Sequence, residues 1–241
     1  MNVLVVVPTY NERDNLPLLV AGILKHDGAR VLVVDDGSPD GTGAIADQLA
    51  RDNPGRVEVM HRTGPRGLGR SYVDGLQHAI AEGRAEFICQ MDADLSHNPE
   101  YLPDLLAAAA AHDLVIGSRY LHGVSVVNWP LHRIFLSAFG NRYIRFITSL
   151  STSDCTSGYR CWRREALARM PIANMVSDGY SFLVEMLFAA SAAGLTFAEV
   201  PITFVERRQG ESKLSKAVLL ESAITPWRLV ASRKSARPTG R

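Results

Sequence analysis

Val3-Leu4-Val5-Val6-Val7 is an unbroken apolar run, four of its five residues β-branched, that ends at Pro8. A strand without polar alternation has no face to offer water, so it must be covered on both sides, as in a parallel sheet between helices. The pattern recurs. Leu16, Leu19, Val20, Ile23 and Leu24 form a helical stripe after Asn15, and Val31-Leu32-Val33-Val34 follows as a second strand. A turn-rich segment from Asp35 to Thr42 then leads into a helix over 43–51, a strand at 57–60, a helix over 69–82 and a strand at 87–91. This alternation predicts an α/β fold, a Rossmann-like domain with a mainly parallel central sheet flanked by helices. Ligands of such sheets bind beyond the carboxyl ends of the strands.

Those ends are polar. The first strand runs into Pro8-Thr9-Tyr10-Asn11-Glu12, the second into Asp35-Asp36, and the strand at 87–91 into Asp92-Ala93-Asp94. One acidic loop means little, because Asp is common in turns. Three on one sheet edge would gather mutually repelling carboxylates, for which a cation or a hydrogen-bonding ligand compensates. If the backbone stayed extended, Asp92 and Asp94 would face the same side. Their hard oxygens suit Mg²⁺ or Mn²⁺.

Composition removes several alternatives. Lys plus Arg exceed Asp plus Glu by one, so no global field points to nucleic acid. Cys89, Cys155 and Cys161 lack CxxC spacing, and an odd count argues against a disulfide framework, so a reducing, cytoplasmic setting is expected. The first residues read as a buried strand and not as a signal peptide. No apolar stretch of about 18 residues predicts a membrane-spanning helix. The charge is uneven, however. Leu121 to Ser153 contains no acid but holds Arg133, Arg142 and Arg145, and the chain after Glu221 is basic.

Taken together, Pro8-Thr9-Tyr10-Asn11-Glu12, the segment from Val34 to Thr42, and Met91-Asp92-Ala93-Asp94-Leu95-Ser96-His97 resemble the inverting family 2 glycosyltransferases of the GT-A fold. Gly117-Ser118-Arg119-Tyr120, Trp129 to Arg133, Thr156 to Arg160 and Gly210-Glu211-Ser212-Lys213 continue the match in the family's order. The pattern is similar to that of the dolichol- and polyprenol-phosphate mannose synthases. That resemblance implies transfer of mannose from GDP-mannose to a polyprenyl or dolichyl phosphate, with a different donor, UDP-glucose or UDP-GlcNAc, as the alternative. It implies that Pro8, Tyr10, Glu12, Val34 and Asp36 line the nucleotide pocket. Asp92, Ala93 and Asp94 would hold the donor diphosphate, the two carboxylates through the metal. Arg119, Arg133, Arg207 and Lys213 would grip phosphates, with Asp94, Arg119, Arg133 and Arg207 closest to the chemistry. The Gly-rich stretch from Gly64 to Gly69 would be a flexible loop near the donor.

Residues 1–215 are then expected to form the catalytic domain, and 216–241 a C-terminal helix with a basic tail. A lipid acceptor requires a membrane. The segment 131–150 places Leu131, Phe135, Phe139, Tyr143, Phe146, Ile147 and Leu150 at helical spacing, which fits either a helix packed on the core or one lying on a cytoplasmic membrane face. Residues 217–221 and 224–230 form a weaker second candidate, broken at Pro226. A membrane partner subunit is the other route to the lipid.

Overall fold

The computed structural model describes residues 1–206 and 216–235, with side chains in the final helix described from 221 to 232. Strand β1 (Val3–Thr9) is followed by α1 (Leu16–Leu24), β2 (Ala29–Asp35), α2 (Thr42–Asp52), β3 (Val57–His61), α3 (Leu68–Glu82) and β4 (Phe87–Gln90). Then come α4 (Leu102–Ala109), β5 (Leu114–Ser118), β6 (Val126–Val127), α5 (Leu131–Thr148), β7 (Arg160–Arg163) and α6 (Arg164–Ala168). The chain continues through α7 (Gly179–Ala192), β8 (Phe197–Pro201), β9 (Phe204–Val205) and α8 (Lys216–Ser235).

Seven strands form one sheet in the order β3-β2-β1-β4-β7-β5-β8, parallel except where β7 runs against β4 and β5. The apolar run at 3–7 has the burial its composition requires. Val3, Val5 and Val7 point to one face, packed with Leu16, Leu19 and Leu102. Leu4 and Val6 point to the other, packed with Tyr72, Leu76 and Phe182. Helices therefore cover both faces of the sheet.

The sheet order sets the site. Strands β2, β1 and β4 are parallel neighbours, with Thr9 paired to Asp35 and Val6 to Gln90, so their carboxyl ends lie side by side. Because β7 is antiparallel to β4, with Gln90 opposite Arg160, the residues just before β7 return to the same edge. β5 has the direction of β4, and delivers Arg119 there as well.

Two expectations change. The segment expected to break at Pro226 is one helix, α8, with Pro226 inside it. A proline removes one helical N–H, here the one that would bond the Ser222 carbonyl, yet α8 continues through it; the adjacent Ala223 carbonyl accepts a hydrogen bond from the Tyr143 hydroxyl at 2.8 Å. The 131–150 segment is helical to Thr148, but Leu150 is buried beyond its end. Among the described residues, no helix is long and apolar enough to cross a membrane.

The approach of α3 to the sheet depends on Gly75, where a Cβ would lie 2.6 Å from Val6 Cγ1 and 2.9 Å from Val34 Cγ2. Gly75→Ala is expected to lower stability by about 1–3 kcal/mol through overpacking, read as a lower urea midpoint with an unchanged slope.

Candidate active site

A cavity of about 550 Å³ opens beyond the carboxyl edge of the sheet, within the size range of small-ligand sites. Its walls include Pro8, Tyr10 and Glu12 after β1, Asp36 after β2, Asp92, Ala93 and Asp94 after β4, Arg119 after β5, and Arg133 in the first turn of α5. Nine of the residues singled out from sequence are thereby brought together. Val34 is the exception within the described chain: its side chain is in the core against the α3 glycine and is not on the wall. Arg207 and Lys213 lie outside the described residues.

The Asp92-Ala93-Asp94 segment is not extended. β4 ends at Gln90, and the chain turns through Leu95 at φ +63°. The turn is stitched locally. The Ser96 N–H donates to Asp94 Oδ1 at 3.1 Å, and the Asp92 N–H donates to His97 Nδ1 at 3.0 Å. That bond makes Nδ1 an acceptor and so puts the proton of a neutral His97 on Nε2. Asp92 itself is held from behind by the buried Tyr72, whose hydroxyl donates to Oδ1 at 2.8 Å. Burial, with the Asp92 charge behind it, pushes the Tyr72 hydroxyl well above its usual range, so it remains a donor. Both carboxylates still reach the cavity, although the turn and not strand alternation brings them there.

On the wall built from the ends of β1 and β2, Asp36 is almost enclosed. Arg62, the residue after β3, binds Oδ1, and the Gly67 N–H donates to Oδ2 at 2.8 Å. Arg66 lies over the Tyr10 ring at 5.0 Å and donates to its hydroxyl. The Gly-rich stretch is there for close approach. A Cβ at Gly67 would meet Asp178 Oδ2 at 2.5 Å, and one at Gly69 would meet the Ser177 carbonyl at 2.6 Å. Asp178 caps α7 through the Gly179 N–H at 2.7 Å and also accepts from the Gly69 N–H at 2.6 Å, tying the starts of α3 and α7 together.

The opposite wall is basic and aromatic. Asp154, with no exposed surface, accepts from Arg119 Nε and Nη2, each at 2.7 Å, and from the Arg119 backbone N–H at 3.1 Å. Thr156 Oγ1 takes another Nη2 hydrogen at 2.8 Å. Three of the guanidinium's five N–H donors are thus used, and the two on Nη1 make no hydrogen bond among the described residues. The Arg119 guanidinium lies over Tyr120, Trp129 and Phe204, 5.4–5.7 Å from each ring centre. Arg133 stacks on Trp129 at 4.1 Å and pairs with Glu206. Burial works to raise Asp154, but the charge and hydrogen bonds of Arg119 overcome it and hold the carboxyl below its ordinary value.

Sequence reasoning missed Arg62, Tyr72, Asp154 and Asp178. Arg62 was legible as the residue after the β3 strand end, and Asp154 as the first acid after the acid-free stretch ending at Ser153. Tyr72 and Asp178 gave no signal, since each looks like an ordinary helix residue or turn former.

Divalent metal is compatible with this donor set. Asp92 and Asp94 offer oxygen only, and His97 Nδ1 is already engaged. Among the described residues no group of three or more His, Cys, Asp or Glu side chains would hold an ion unaided. An ion here would complete its shell with substrate oxygens and water, which is how Mg²⁺ and Mn²⁺ sites on one or two carboxylates are built.

Residues 4–170 match the family described as Glycosyl transferase family 2. The chain is 48% identical over 222 residues to polyprenol monophosphomannose synthase of Mycolicibacterium smegmatis, covering 91% of this chain and 83% of that protein. It is 44% identical over 234 residues to undecaprenyl-phosphate mannosyltransferase of Micrococcus luteus, covering 96% of each. Among solved structures, glucosyl-3-phosphoglycerate synthase from Mycobacterium tuberculosis in complex with Mn²⁺, uridine-diphosphate and glucosyl-3-phosphoglycerate superposes with a TM-score of 0.69 at 17% identity, over 99% of this chain and 82% of that one. That likeness is one of fold.

Removing one partner of a buried ion pair leaves the other charge uncompensated, so Asp154→Ala is expected to cost about 3–5 kcal/mol. A carboxyl depressed on folding contributes stability that is present above its ordinary value, 3.8, and lost as pH falls through the folded one. The acid limb of a stability–pH profile should therefore be shallower in Asp154→Ala than in the wild type, as measured by urea melts at successive pH values.

Proposed function

The chain belongs to glycosyl transferase family 2 and is a glycosyltransferase; from that premise we propose that it transfers mannose from GDP-mannose, with inversion, to the phosphate of a polyprenyl or dolichyl-type lipid. One observation carries this reading: a single cavity has a two-carboxylate turn on one wall and two arginines in an aromatic cluster on the other. Such a cavity is equipped for two phosphate groups. The names of the relatives at 44% and 48% identity support mannose as the sugar and a polyprenyl phosphate as the acceptor.

Residues 1–215 act in this reading as the catalytic unit, with 216–241 an appended helix and basic tail. Pro8, Tyr10, Glu12 and Asp36 receive the nucleoside, and Val34 supports that wall from the core. Asp92 and Asp94 hold Mg²⁺ or Mn²⁺, and Ala93 between them keeps the turn small. The bound ion would supply neutralising charge for the departing diphosphate. Arg119 and Arg133, joined by Arg207 and Lys213 in the segment outside the described residues, grip phosphate oxygens through paired N–H donors. A phosphate monoester is largely ionised at pH 7, its second pKa lying near 6, so the acceptor oxygen attacks the anomeric carbon without a base. The residues act by alignment and by charge, and none is assigned as a general base.

The lipid calls for a membrane surface. Leu131, Phe135, Phe139 and Phe146 on α5 are 68–84% exposed, and Trp227 on α8 lies 58% exposed beside them, its indole N–H bonded to the Tyr143 hydroxyl at 2.9 Å. Arg142 and Arg145 are exposed on the same helix. This face of α5 meets the bilayer on its cytoplasmic side, and a membrane partner subunit could share that task.

Transfer from GDP-mannose to a short polyprenyl phosphate should require Mg²⁺ or Mn²⁺ and stop with EDTA, and Asp94→Ala should lower the rate by about 10²-fold or more. Metal-independent transfer, or a near-normal rate in Asp94→Ala, would sink the metal assignment; calorimetric preference for UDP-glucose or UDP-GlcNAc would instead move the donor. Phe135→Ser combined with Phe139→Ser should reduce co-flotation with anionic vesicles while leaving GDP binding intact.

A further inference from the structure

The acids in and around the cavity are held by different partners, and for three of them the partner is an arginine. Asp36 is met by Arg62, Glu206 by Arg133, and the buried Asp154 by Arg119. Asp92 is met by a neutral hydroxyl, that of Tyr72, on a side chain with no exposed surface at all. A buried tyrosine ordinarily finds a partner for its O–H, and here the partner is one oxygen of a carboxylate that faces a ligand cavity. The other oxygen, Oδ2, sits below Gly158, where an added Cβ would come within 3.2 Å of it. His97 Nε2 lies 3.9 Å from it, beyond hydrogen-bonding distance. The backbone beneath is fixed separately by the Asp92 N–H bond to His97 Nδ1 at 3.0 Å. Tyr72 is itself rigid: its ring stacks on Phe182 with 6.0 Å between centres and 5° between planes.

We infer that Tyr72 is a positioning residue for the divalent ion: its hydroxyl pins Asp92 Oδ1 and reserves Oδ2, under the glycine at 158, as the oxygen that meets the metal. The inference rests on the metal reading given above. Its logic is that of an outer partner orienting a ligating carboxylate. Loss of such partners costs about 10–100-fold in metal affinity, because the carboxylate must then be ordered when the ion binds. An arginine in place of the hydroxyl would hold Asp92 as firmly, but would cancel the charge that the ion needs. A neutral donor orients the group and leaves that charge in place.

The test is a Mn²⁺ titration of the full chain, followed by the electron paramagnetic resonance signal of free Mn²⁺, with GDP present. Tyr72→Phe deletes one oxygen and keeps the stacked ring. It should raise the Mn²⁺ dissociation constant at least about tenfold, with GDP binding in EDTA and the metal-free melting midpoint unchanged. Excess Mn²⁺ should restore much of kcat in the transfer assay, a recovery that general structural damage would not allow. Wild-type Mn²⁺ affinity in Tyr72→Phe would overturn the inference and leave the metal reading intact. A wild-type chain that binds no Mn²⁺, or binds it equally well as Asp92→Ala, would overturn both. If Tyr72→Phe shifts the metal-free melting midpoint, Gly158→Ala decides, since its Cβ would press on Oδ2 and on His97 Cε1, each at 3.2 Å, more than on Oδ1 at 3.4 Å, and leaves the Tyr72 hydroxyl in place. Weaker Mn²⁺ binding there supports the assignment of Oδ2, and unaltered binding refutes it.

Discussion

Everything at the cavity hangs on the way β1 is paired. It lies between β2 and β4, parallel to both, with Thr9 level with Asp35 and Val6 level with Gln90. Strand spacing in a sheet is about 4.8 Å, so three parallel neighbours must release their loops within roughly 10 Å of one another. β7 then enters the same edge from the opposite direction, which is how Gly158 comes to sit over Asp92. A register slip of one residue in any of these pairs would send each core side chain to the opposite apolar layer, where it would no longer match the helix packed there. The apolar packing that makes the sheet stable is therefore also what places the site.

Crowding acids at one edge is unfavourable, and each has its own remedy. Asp36 is neutralised by Arg62 and a backbone N–H, and Asp178 is absorbed into the starts of two helices. On the other side the problem is inverted, because Arg119 is a buried cation. Asp154 compensates it, and the Glu199 carboxylate in turn accepts from the N–H groups of Ser153 and Asp154 at 2.7 and 3.0 Å. Arg160, also buried, is satisfied by the carbonyls of Cys155, Ser157 and Leu183, and burial pulls it down to about 10. These anchors fix the loop from 154 to 158 that faces Asp92. The basic and the acidic walls are thus parts of one hydrogen-bonded frame.

How much of this could be read from sequence depended on the range of the interaction. The β-branched run and the strand ends announced the sheet and its functional edge, because strand burial and turn chemistry are local properties. Asp92 and Asp94 were legible for the same reason, whereas Arg119 came only from the family resemblance. The conformations of the two acids were not legible. The turn after Gln90 depends on Ser96 and His97 closing back on the chain, and strand alternation gave the right proximity for the wrong reason. Tyr72, Asp154 and Asp178 act across 20, 35 and 109 positions of sequence, and no periodicity encodes such pairings. Pro226 erred the other way: a break was expected there, but α8 runs through the proline, packed against α5 and α7.

The acid-free stretch from Leu121 to Ser153 acquires a physical sense from where α5 begins. Arg133 in its first turn is on the cavity wall, whereas Phe135, Phe139 and Phe146 lie outward along the same helix. A polyprenyl phosphate has the same division, a dianionic head joined to an apolar chain. On the proposed reading the head enters between Arg119 and Arg133 while the chain stays in the bilayer against α5. An acid on this helix would repel both the head and an anionic membrane surface. A carboxylate that does approach, Glu206, follows β9 and is paired with Arg133. A phosphate arriving at Arg133 therefore competes with Glu206 for the guanidinium, whereas Arg119, locked to Asp154 through Nε and Nη2, keeps Nη1 for it throughout. The two arginines are on this argument unequal: Arg119 is a fixed contact and Arg133 an exchangeable one.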